Sequence, residues 1–270
     1  MKLVRGAVVH MVVMVMLSGL GWAEPIVLDG LIEPSLVVNV GSSVPGILKT
    51  VQAERGDMIK KGQVLARLHS GVETATMELA RVRSELEATI NERQAQVDFN
   101  LRRQRRYEEL FKKKVIPFEK MDEARTNTSM ALMDLEEARE NLRLAKLELN
   151  RSIEVVKRMT IYSPISGVVM ERFLSPGEFI EDQPVIKLAQ IHPLHVEVFA
   201  PVELLGAIKV GMQAEVTPEN PVGKVYKAKV TIVDRVIDAA SGTFGVRLEM
   251  PNPKYRLSAG LKCKVTFHSK

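Results

Sequence analysis

The chain has 270 residues, 46% hydrophobic and 26% charged, with a formal net charge of +5 at pH 7, which leaves room for one large domain or two to three small ones. Its single cysteine, Cys263, excludes an internal disulfide framework, so size and core must stabilise the fold. The sequence contains no phosphate loop, nucleophile–base pair or paired-carboxylate site. Apart from His10, the histidines are scattered at positions 69, 192, 195 and 268. These features argue against an enzyme and against a resident cofactor or metal.

Residues 1–23 read as a secretory signal. Lys2 and Arg5 precede a mostly apolar run from Ala7 to Leu20, and Gly21-Trp22-Ala23 offers small residues for cleavage after Ala23. The alternative is a retained anchor, but fourteen apolar residues fall short of the ~20 that a bilayer span needs. The expected mature chain is exported to the periplasm, where a nucleic-acid partner is not expected.

Residues 24–39 form an N-terminal strand segment, expected to join a barrel region further on. Residues 40–70 continue in short β-branched runs broken by Gly, Pro and Asp, with Gly46, Gly56 and Gly62 marking turns.

Residues 71–157 change texture, with one proline, no glycine after Gly71, and abundant Glu, Arg, Leu, Ala, Lys and Gln. Ser70 and Glu73 have the spacing of a capping box, which predicts a first helix from near Gly71 to near Lys113. Pro117 suits the start of a second helix. In that second helix Met121, Ala124, Thr128, Ala131, Leu135, Ala138, Leu142, Ala145, Leu149, Ser152 and Val156 recur at steps of three and four. This is the seam of a coiled coil. Val72, Ala75, Leu79, Val82, Leu86 and Ile90 supply the matching stripe expected on the first helix. Asp98–Arg102, Glu108–Lys112 and Glu109–Lys113 are expected face pairs. About 40 residues per helix implies an antiparallel hairpin roughly 60 Å long.

Residues 158–190 return to strands and repeat the earlier motif. With a shift of 121 positions, Gly46 falls on Gly167, Leu48 on Val169, Gly56 on Gly177, Asp57 on Glu178, Ile59 on Ile180 and Leu65 on Ile186. Each copy has too few strands to bury a face alone. Two copies can form one small sandwich, with the helical arm emerging between them. Residues 191–270 read as a further β domain, with a turn at Asn252-Pro253 and another at Gly260.

SPISGVV followed by PGE, GDMIKKGQVL in the first copy, and the C-terminal order Thr243, Val246-Arg247, Asn252-Pro253, Leu257 and Gly260 are the residues that carry a family resemblance. The chain resembles the periplasmic adaptor subunits, or membrane fusion proteins, of tripartite efflux systems, most closely the resistance–nodulation–division type. The resemblance implies an α+β chain: a split lipoyl/biotinyl-like β-sandwich with an inserted long antiparallel coiled-coil hairpin, then a small β-barrel domain. A membrane-proximal domain is expected to be absent or minimal.

By the same resemblance, adaptors that meet TolC-like outer-membrane channels carry Arg, then Leu four on, then Ser seven further at the hairpin tip. Arg106 and Leu110 fit this pattern, and Pro117 stands where the Ser would be. The implied function is to link an inner-membrane transporter to a TolC-like outer-membrane channel for export, with self-association into a ring. The alternatives are an adaptor of an ATP-binding-cassette or secretion-type exporter, and a periplasmic coiled-coil structural or chaperone-like protein.

Overall fold

The computed structural model of the chain describes residues 26–219 and 224–268. The signal reading of residues 1–23 lies outside them. In chain order the elements are β1 (Ile26–Val40), β2 (Gly46–Val51), β3 (Met58–Ile59), β4 (Val64–Leu68), α1 (Gly71–Ser84), α2 (Ala88–Lys112), α3 (Phe118–Arg158), β5 (Thr160–Tyr162), β6 (Gly167–Arg172), β7 (Phe179–Ile180), β8 (Ile186–Pro201), β9 (Gln213–Pro218), β10 (Tyr226–Val233), β11 (Thr243–Met250) and β12 (Lys262–Phe267). The chain divides into one unit of residues 35–191 and another of residues 1–34 with 192–270. The division falls inside β1, between Pro34 and Ser35.

In the unit of residues 35–191 the two motif copies exchange strands. β2 of the first copy pairs with β7 of the second, Gly46 opposite Ile180. β3 of the first pairs with β6 of the second, Ile59 opposite Gly167. The loop bonds repeat the exchange. Gly56 N–H donates to the Val169 carbonyl (2.9 Å) and Val169 N–H to the Asp57 carbonyl (3.0 Å). At the shifted positions Gly177 N–H donates to Leu48 (2.8 Å) and Leu48 N–H to Glu178 (2.9 Å). Two halves that cannot each satisfy their backbone groups do so together. Their shared core contains Leu48 and Val169, Ile59 and Ile180, Leu65 and Ile186, all buried.

The helical part has three segments, not two. The first helix stops at Ser84 and resumes at Ala88, with Glu85–Glu87 held by short-range bonds from Glu85 N–H to Val82 O and from Leu86 N–H to Arg83 O. Ser70 stands at the N-cap of α1 without a side-chain cap bond, so the expected capping box is not formed. α3 runs unbroken for 41 residues, about 60 Å. The eleven positions named from its heptad pattern are all buried or half-buried against α1 and α2.

The described residues of the second unit, 26–34 with 192–219 and 224–268, form a barrel. Its strands run β1-β12-β9-β10-β11-β8, and β1 pairs with β8 to close it. Leu194, Val196, Val198 and Ala200 point inward on β8, as do Phe244, Val246, Leu248 and Met250 on β11. That is the period-two alternation of a strand with one buried face. Closure removes the exposed edges.

Candidate functional site

The turn glycines at the base of the arm have distinct local reasons. Gly56 and Gly177 hold φ of +95° and +93°, the left-handed region where a side chain is strained. Each turn is closed by the acid that follows. Asp57 Oδ2 accepts from Glu54 N–H (2.8 Å), and Glu178 Oε2 accepts from Ser175 N–H (2.7 Å). Gly62 also sits at positive φ, +81°. Gly167 has ordinary backbone angles, but a Cβ there would run into the Ala189 carbonyl. A Cβ on Gly46 would meet only the Leu68 side chain, 2.7 Å from Cδ2.

Along the arm, Met121, Ala124, Ala131, Leu135 and Ala138 of α3 are buried, and Leu142, Ala145 and Leu149 are half-buried. Val97 of α2 packs with Ala131 and Leu135, flanked by Ile90 and Leu101. The stripe expected on α1 faces the other way. Val72, Leu79, Val82 and Leu86 are exposed, Val72 at 78%. The face turned toward α3 is Glu73, Met77, Ala80 and Ser84, with Ala80 and Ser84 buried. Small side chains let α1 approach α3 closely, so the bulky stripe is left outside. The ion pairs between helices also differ from the expected face pairs. Glu108 accepts from Gln104 Nε2 and Arg125 Nε, both at 3.0 Å, which hold its carboxyl below the ordinary range. Arg93 pairs with Asp134 (3.2 Å), while Asp98 accepts from Gln94 (3.1 Å).

At the tip, α2 closes in a Schellman arrangement. Val115 N–H donates to Leu110 O and Lys114 N–H to Phe111 O, both 2.9 Å, with Lys114 at φ +55°. The main-chain carbonyl of Leu110 takes part in this cap, and its side chain is half-buried. Arg106 is exposed and forms none of the ion pairs found among the described residues. Pro117 is the N-cap residue of α3, with φ −71° and ψ 159°, and contributes no side-chain cap. The exposed apolar residues here are Phe111, Val115 and Phe118. The two Phe rings stand edge to face at 6.0 Å between centroids. Neither the run of cations nor the Arg–Leu spacing signals their exposure.

In the barrel, Asn252 is buried and closes its loop with its own carboxamide. Nδ2 donates to Leu257 O (2.8 Å) and Oδ1 accepts from Leu257 N–H (3.3 Å). Its backbone N–H donates to His192 Nδ1 (3.1 Å). Pro253 is exposed beside it. Gly260, at φ +90°, donates its N–H to Ile32 O (2.7 Å). Cys263 points into the barrel, and burial together with Asp29 and Glu219 raises its thiol to about 11. Among the described residues no three His, Cys, Asp or Glu side chains gather as a metal site, and no helix is long and apolar enough to cross a membrane.

Residues 36–190 match the family model of the CzcB-like barrel-sandwich hybrid domain, and residues 193–270 match that of the CusB-like beta-barrel domain. The chain belongs to the periplasmic adaptor, or membrane fusion protein, family. Among curated proteins, this adaptor chain is 26% identical over 241 residues to the solvent efflux pump periplasmic linker SrpA of Pseudomonas putida, covering 83% of this chain and 56% of that one. It is 25% identical over 219 residues to the cation efflux system protein CzcB of Alcaligenes sp. (strain CT14), covering 80% and 39%. Among solved structures it superposes on MacA from Actinobacillus actinomycetemcomitans with a TM-score of 0.75 at 22% identity, covering 90% of this chain and 78% of that one, which shows a shared fold. The matched region spans 35–56% of the first curated relatives' own length.

Proposed function

We propose that the protein is a non-catalytic periplasmic adaptor. It links an inner-membrane transporter, of the resistance–nodulation–division class, to a TolC-like outer-membrane channel for export. The observation that carries this reading is the strand exchange between the two motif copies, which builds a sandwich around the base of a long helical arm and leaves that arm free of any other core. A helical arm with no globular core has a mechanical role. It spans distance and presents a tip. The family membership and the efflux roles of the SrpA and CzcB relatives support the same reading.

Self-association into a ring is part of the proposal. Val72, Leu79 and Val82 on α1, Leu86 just after it, and Leu144 and Leu147 on α3 are exposed apolar side chains of the arm. Exposed apolar side chains of this kind are what an interface would cover. The test is affinity capture of the full chain after crosslinking in cells. The expected result is an inner-membrane transporter and an outer-membrane channel captured together with multiple adaptor copies. A monomer that captures neither would overturn the reading and leave the coiled-coil client-binding alternative.

A further inference from the structure

One rim of the barrel collects exposed apolar side chains that its core does not use. We propose that this rim is a lipid-facing surface, which rests directly on the periplasmic leaflet of the inner membrane and sinks Leu205, Val210, Val236 and Ile237 into it. The inference needs only that the protein is exported. It adds a contact that neither a transporter nor a channel supplies.

The strand register places these residues together. β8 and β11 meet at the rim with Pro201 opposite Thr243. Val202 N–H donates to the Gly242 carbonyl (3.0 Å), which ties the turn after β8 to the loop between β10 and β11. Gly30 faces Glu197 and Val198 across the closure of β1 on β8. Ile26, earlier on the oppositely directed β1, therefore comes abreast of Pro201, and Phe267 and Ala214 lie level with it on β12 and β9.

Three observations carry the inference. Val236 is 83% exposed and Val210 65%, with Leu205 and Ile237 exposed beside them and Phe199, 71% exposed, just below on the outer wall. Apolar tips that protrude from separate turns suit a deformable bilayer, which needs no matching cavity. Second, each tip is preceded by an exposed cation, Lys209 before Val210 and Arg235 before Val236. A cation beside an apolar tip sits at the depth of lipid phosphates. The nearby carboxylates turn back onto their own loops: Asp238 accepts from Ala240 N–H (2.8 Å), and Asp234 fills the space that a side chain on Gly245 would need. Glu203 is an exposed acid at this rim, so apolar insertion rather than net charge provides the seating. Third, the described chain enters the barrel at Ile26, on this rim. Lys2, Arg5 and the apolar run from Ala7 to Leu20, outside the described residues, read as a membrane-directed segment. Cleaved or kept, that segment delivers this rim to the inner membrane first.

The test uses the chain from Glu24, the expected exported form. It keeps every described residue and lacks Trp22, the one tryptophan of the sequence, so Val236→Trp reports a single position. The probe is vesicles of phosphatidylethanolamine with phosphatidylglycerol, one set carrying bromine on the acyl chains. Val210→Asp with Val236→Asp is compared with Val72→Asp with Leu79→Asp, exposed apolar positions on the arm. Far-UV ellipticity and thermal midpoint are the folding controls. The expected result is co-sedimentation of the unsubstituted chain with the vesicles, and emission from Val236→Trp that shifts to the blue and is quenched by bromine. The rim variant should bind tenfold or more weakly and the arm variant unchanged. Absence of vesicle binding, unquenched emission, equal binding by the rim variant, or an equal loss in the arm variant each overturns the inference. Capture of a transporter that is lost in the rim variant, without vesicle binding by the unsubstituted chain, overturns it in favour of a protein contact. The adaptor reading stands or falls separately, by the crosslinking capture above.

Discussion

Gly167 lies so close to Ala189 that a β-carbon on it would occupy the position of the Ala189 carbonyl. Its counterpart Gly46 faces only the terminal methyl end of the Leu68 side chain. Backbone cannot yield as a leucine rotamer can, so the two positions should differ although the sequence writes them alike. Gly167→Ala is expected to destabilise the sandwich by about 3 kcal/mol and Gly46→Ala by about 1 kcal/mol. Denaturant unfolding of the two variants decides it. Equal losses would show that the strand pair at Gly167 can shift. Gly167→Val should keep the arm helical while lowering assembly.

Leu79→Glu with Val82→Glu should leave the thermal midpoint of the isolated protein within about 2 °C, because both side chains already face water. Self-association should weaken at least tenfold, read by sedimentation velocity. Loss of helix content instead would mean that the stripe packs within the arm.

Asn252→Ala removes both side-chain bonds that close the loop to Leu257. It leaves a buried carbonyl and a buried N–H without these partners, at a cost of about 2 kcal/mol. Asn252→Asp retains the acceptor and should recover part of it. Barrel unfolding followed at equilibrium gives the ranking. An alanine variant as stable as wild type would remove this loop from the account of the barrel.

Cys263 has its thiol raised from 9.0 to about 11, chiefly by burial. The folded state therefore holds the proton more tightly than the unfolded chain. Its stabilising contribution is complete below pH 9.0 and is lost as pH rises through about 11. Thermal midpoints should fall more steeply over that window in wild type than in Cys263→Ala. Iodoacetamide should label the folded protein roughly 100-fold more slowly than the unfolded chain at pH 8. Equal labelling rates would place the thiol outside the barrel core.

The parts legible in the sequence were those with one physical solution. A glycine before an acid, twice at a shift of 121, fixes two left-handed turns, and both are present at Gly56 and Gly177. On α3 only one face carries apolar residues at steps of three and four without a break, and that face is buried. α1 offered two faces. Spacing favoured Val72, Leu79, Val82 and Leu86, but packing chose Ala80 and Ser84, because close approach depends on small size. Periodicity identifies an apolar stripe but does not say whether it is covered by its own chain or by another surface. At the tip, the spacing singles out Arg106 and Leu110 but does not show the cap that links Leu110 O to Val115 N–H, beyond which Val115 is exposed.

The strand exchange at the base of the arm has a kinetic consequence. Partners such as Gly46 and Ile180 are separated by more than a hundred residues. Closing such a loop from a disordered chain costs about 4 kcal/mol in entropy. The arm removes most of that cost. Its helices form from neighbours in sequence, and as they zip together they bring Leu68 beside Met159, whose carbonyl accepts the Leu68 N–H at 2.8 Å. The arm is thus a folding template as well as a spacer: it converts a high-contact-order sandwich into a short final closure. Replacing residues 71–157 with a flexible Gly/Ser segment of equal length should slow refolding of the sandwich tenfold or more in stopped-flow measurements. Unchanged kinetics would show that the two halves find each other without it.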